Sequence, residues 1–100
     1  MVIRWISRLI SGRKRRKIRS ELNDIYQSIL YLNKWVLEAL DEVKRYRVLM
    51  QLYDESEPEY SHYKVVHDLA LERAKECRQE VDRRGRRAKR LMYQLDRLSE

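Results

Sequence analysis

His62, His67 and Cys77 are the side chains of this 100-residue chain best suited to hold a soft metal ion, but they do not have metal-site spacing. His67 and Cys77 fall a full helical segment apart, and no second cysteine exists to share an ion or close a disulfide. One lone thiol fits a reducing, cytoplasmic setting. There is no Gly-rich phosphate loop, no Ser/His/Asp grouping and no carboxylate pair in a recognisable pocket. The residues therefore predict a protein that binds and does not catalyse, with no cofactor, no metal and no small-molecule substrate.

The segment richest in binding chemistry lies at the start of the chain. On a helical wheel Val2, Ile3, Trp5, Ile6, Leu9 and Ile10 fill one face, and Arg4, Ser7, Arg8 and Ser11 fill the other. Gly12 is expected to interrupt this helix before the run Arg13, Lys14, Arg15, Arg16, Lys17 and then Arg19. An apolar face with a tryptophan beside a polybasic run carries the two signals that together hold a protein on an anionic membrane. The same short helix could instead pack on a partner protein or on the flank of the helix that follows. A cleaved targeting peptide, also Arg-rich and free of acidic residues, is a third reading.

A second basic cluster, Arg83, Arg86, Arg87 and Arg90, opens a nucleic-acid alternative. These arginines lack interleaved Asn, Gln or aromatic side chains to read or stack on bases, so such binding would rest on phosphate contacts and fall steeply with salt. The overall balance, 23 Lys and Arg against 16 acidic residues, gives a net charge of +7 and favours an anionic partner of any of these kinds.

The elements that must position these groups are helices. With two Gly, one Pro and 39% charged residues, the chain lacks the punctuation that strands and tight turns need. Three regions separate: residues 1–17, amphipathic then polybasic; a periodic stretch 18–53; and a second, 60–98, joined by the acidic loop 54–59 around Pro58. Ile18, Leu22, Ile25, Ile29, Leu32, Val36, Ala39, Val43, Tyr46, Met50 and Tyr53 recur at alternating steps of four and three. Tyr60, Tyr63, His67, Ala70, Ala74, Cys77, Val81, Arg84, Ala88, Leu91, Leu95 and Leu98 repeat the pattern.

The predicted fold is all-α, an antiparallel two-helix coiled-coil hairpin with a short amphipathic N-terminal helix. Reversal at Pro58, with Ser56 or Glu57 as the helix cap, pairs residues whose numbers add to 113, such as Leu22 with Leu91 and Tyr53 with Tyr60. That register sets Leu40 near Leu71, Glu42 near Arg73, Gly85 against Tyr26, and His67 within hydrogen-bonding reach of Tyr46. It also gathers the tyrosines near the loop into an aromatic plug and brings both basic clusters to the open end.

Beside the seam, Tyr26, Leu30, Leu37 and Leu40 widen the apolar arc beyond what one partner helix covers. This flank is expected to self-associate into a helical bundle or to meet one partner protein as a regulator or inhibitor would. The layout resembles membrane-remodelling filament proteins, and small phage or viral assembly proteins, in general shape only. The leading expectation is an assembly or adaptor protein whose basic end and N-terminal helix dock on an anionic membrane surface or a larger complex.

Overall fold

The low glycine and proline content has its expected consequence: the computed structural model, which describes the backbone of residues 2–99 and the side chains of 4–98, contains two long α-helices and no strand among those residues. They are α1, Val2–Gln51, and α2, Pro58–Ser99. No described residue has a positive φ or a cis peptide bond.

The separate N-terminal helix expected from Gly12 is not found, because α1 runs unbroken through that residue. A glycine inside a helix costs only about 1 kcal/mol relative to alanine, and good helix formers on both sides outweigh it. Residues 2–10 thus continue the helix axis and do not fold back onto the flank of α1. α2 is likewise continuous through Gly85. A Cβ added at Gly85 would meet nothing within 4 Å, so the expected packing against Tyr26 is absent. The Tyr26 hydroxyl instead donates to Met92 Sδ at 3.3 Å.

α1 stops two residues short of the expected Tyr53. Its end tightens through bonds from Leu52 N to the Leu49 carbonyl and from Tyr53 N to that of Met50, both 3.2 Å. Glu57 N then donates to the Asp54 carbonyl at 2.9 Å, and Asp54 N donates back to Glu57 Oε1 at 3.4 Å. Glu57 is the cap residue, and Pro58 fills the first helical position, where a missing N–H costs nothing.

Contacts divide the chain into two units, one made of residues up to Ile29 with those from Asp82 onward, the other of Leu30–Val81. In the first, Leu22, Ala88 and Leu91 are buried together, with Ile18, Ile25 and Leu95 packed around them. This is the register read from the periodicity. In the second, Val36, Ala39, Val43, Ala70 and Ala74 are buried, and Arg73 Nη2 bonds Glu42 Oε2 at 3.1 Å, as that register requires. The buried alanines of α2 face larger residues on α1, the large-against-small arrangement that lets helices pack closely.

Two side-chain pairings differ from expectation. Tyr63 is the hub of the aromatic cluster, with ring centroids 6.1 Å from Tyr46, 5.8 Å from Tyr53 and 5.5 Å from His62, whereas Tyr60 makes no ring contact among the described residues. His67 does not bond Tyr46, whose ring tilts toward Tyr63; its Nδ1 lies 3.0 Å from the Asp68 carboxylate next along the chain, and its Nε2 is buried without a protein partner.

Candidate anionic-surface site

Continuity of α1 fixes the phase of the N-terminal residues against the seam. At about 100° per residue, Trp5, Ile6, Leu9 and Ile10 centre on the side of α1 away from Ser11, Arg15 and Ile18, which carry the seam toward the N-terminus. Every described residue from Arg4 to Ile10 is exposed on both faces of the helix, Trp5 by 65%, whereas Ser11, Gly12, Arg15 and Ile18 are half-buried. The register sets the end of α2 opposite Lys14, so α2 does not cover the apolar face of residues 5–10. The side chains of Val2 and Ile3, assigned to the same face, lie outside the described residues.

The basic run does not act as one patch. Arg13, Lys14, Arg16, Lys17 and Arg19 are exposed, but Arg15 points into the seam, where its Nη2 donates to the Leu98 carbonyl at 2.6 Å. Arg15 therefore serves α2, satisfying one of the final carbonyls that a helix end leaves without a partner. Arg15 Nε is buried with no protein partner. On α2, Arg83, Arg86, Arg87 and Arg90 are all exposed, and Arg87 also bonds Glu21 through two contacts of 2.8 and 3.2 Å to one carboxylate oxygen. Of the residues expected to face an anionic surface, Arg15 is half-buried with its guanidinium on the Leu98 carbonyl, and Arg87 stays exposed while paired to Glu21. Arginine reaches across a two-helix seam more readily than it stays idle beside an acceptor.

Both basic clusters belong to the same unit. The segments making that unit hold 15 Lys and Arg against 5 acidic residues, whereas Leu30–Val81 holds 8 against 11. The acidic turn lies in the second unit.

The apolar flank separates in the same way. Tyr26, in the first unit, is partly covered by Met92. In the second, Leu30 and Leu37 are exposed, Leu37 by 69%, and Leu40 is half-buried where it shares a groove of about 350 Å³ with Leu71 and Val43. The periodicity argument passed over Trp35, which is 55% exposed beside Glu38, Glu42, Arg73 and Cys77. Its signal was a large apolar residue next to the seam on an otherwise charged side of α1. No group of three His, Cys, Asp or Glu among the described residues could hold a metal ion. The chain matches no protein-family model, no curated protein and no solved structure.

Proposed function

We propose that this is a non-enzymatic docking and assembly protein that lies on an anionic membrane surface through the outward face of the start of α1, with the basic unit supplying the electrostatic attraction. The observation that carries the reading is the exposed Trp5, Ile6, Leu9, Ile10 face on a helix that continues directly into exposed Arg13, Lys14, Arg16 and Lys17. Apolar insertion and cationic attraction act on one rigid element, so each holds the other in place. No helix among the described residues is long and apolar enough to cross a membrane, and the mode of binding is peripheral. Within each unit the paired seams pack as a coiled coil, and the side of α1 that carries the exposed Leu30 and Leu37 and the half-buried Leu40 serves self-association.

Co-sedimentation with anionic vesicles tests the reading, using the wild type and Trp5→Glu. The exposed part of the Trp5 side chain is worth about 2–3 kcal/mol on burial, so its loss, with a carboxylate added, should weaken binding by roughly 30-fold or more. Equal sedimentation of the two proteins would end the membrane reading and leave the basic unit to a protein or nucleic-acid partner.

A further inference from the structure

The first unit contains an open groove of about 600 Å³ between α1 and α2, floored by Ile18, Leu91 and Leu98 and rimmed by Lys14, Lys17 and Arg97. Glu21 also borders it, but its carboxylate is taken by Arg87, which lies on the same wall. None of the three rim cations is ion-paired to a carboxylate among the described residues, and Arg97 leans over the Tyr93 ring, 5.8 Å from its centroid. An apolar floor beside cations that have no carboxylate partner among the described residues suits an amphiphile with an anionic head.

We propose that this groove is a headgroup site for a phosphomonoester phospholipid: the phosphate sits among Lys14, Lys17 and Arg97 and the first part of an acyl chain lies along the half-buried Ile18 and Leu98. The inference rests on the membrane reading above and deepens it. Charge complementarity names the head, because three clustered cations favour a phosphate able to carry close to two negative charges over a singly charged phosphodiester. Continuity with the docking face names the source. Helical phase sets Lys14 and Lys17 on the side of α1 that carries Ile10 and Ile6 one and two turns earlier, so the rim is at the level of the lipid surface when the apolar face is inserted.

The test is vesicle binding at matched surface charge, comparing phosphatidic acid with phosphatidylserine in a neutral phosphatidylcholine background. Lys14→Gln/Lys17→Gln is compared with Arg86→Gln/Arg90→Gln, which removes the same charge from exposed positions outside the groove; circular dichroism melts confirm that both fold. The wild type should prefer phosphatidic acid by about fivefold or more, the worth of one well-placed cation at the surface. The groove variant should lose that preference and the control should keep it while binding both vesicles more weakly. A wild type that binds both vesicles equally, or a groove variant that keeps the preference, overturns the headgroup site and leaves the membrane reading intact. A wild type that binds neither vesicle overturns both.

Discussion

Leu91→Ala is the sharpest test of how the helices are paired. Leu91 is 2% exposed and sits against Leu22 and Ala88, with Ile18, Ile25 and Leu95 closing the cluster. Removing three carbons at about 0.8 kcal/mol each forfeits about 2.4 kcal/mol of transfer free energy, and the cavity left behind adds to it. A two-helix core has half-exposed walls that can sag inward, which holds the cavity part small, so the total should be about 3 kcal/mol. Urea denaturation followed by helical circular dichroism measures the loss, with Leu69→Ala as the control at a 59% exposed position. The control should cost under about 1 kcal/mol, since surface changes away from packing seldom exceed that. Combining Leu91→Ala with Leu22→Ala should show coupling of about 0.5 kcal/mol or more, because the two side chains share one cluster. A Leu91→Ala cost no larger than that of Leu69→Ala, or strict additivity with Leu22→Ala, would refute the pairing and the groove built on it.

Further outcomes follow from the same geometry. Gly85→Ala should stabilise the protein by about 0.5–1 kcal/mol in thermal melts, since the added methyl meets nothing and a helical glycine is entropically costly; destabilisation would mean that a neighbour closes on that position. Light scattering should give the wild type a mass that is a multiple of 12.4 kDa and reduce Leu37→Glu/Leu40→Glu to the single-chain value; a wild type already at 12.4 kDa rules out self-association.

Much of the hairpin was legible before any coordinates because apolar periodicity is a property of the backbone repeat. Alternating steps of four and three put Leu22, Val36, Ala39 and Val43 on one side of any helix, and all four are buried. Pro58 marked the start of α2 through its fixed φ and missing N–H, which are local effects. The Glu42–Arg73 pair followed from the register alone. Trp35 stands on the other side of the seam from Tyr26, Leu30, Leu37 and Leu40, beside Glu38 and Glu42, where apolar periodicity gives no continuous stripe to mark it.

The sequence by itself determined the helical class, the seam, the turn and the residue chemistry of the N-terminal face and the basic run. These depend on periodicity and residue type within one element. Only the tertiary structure decided that α1 passes through Gly12, since a helix break there hinges on about 1 kcal/mol and local propensity does not settle so small a difference. That continuity set the apolar face opposite the seam and aligned it with Lys14 and Lys17. Packing also decided which cations found protein partners across the seam: Arg15 on the Leu98 carbonyl and the exposed Arg87 on Glu21. Their partners lie more than sixty positions away along the chain, and which side chain reaches which acceptor depends on the packing of one helix against the other.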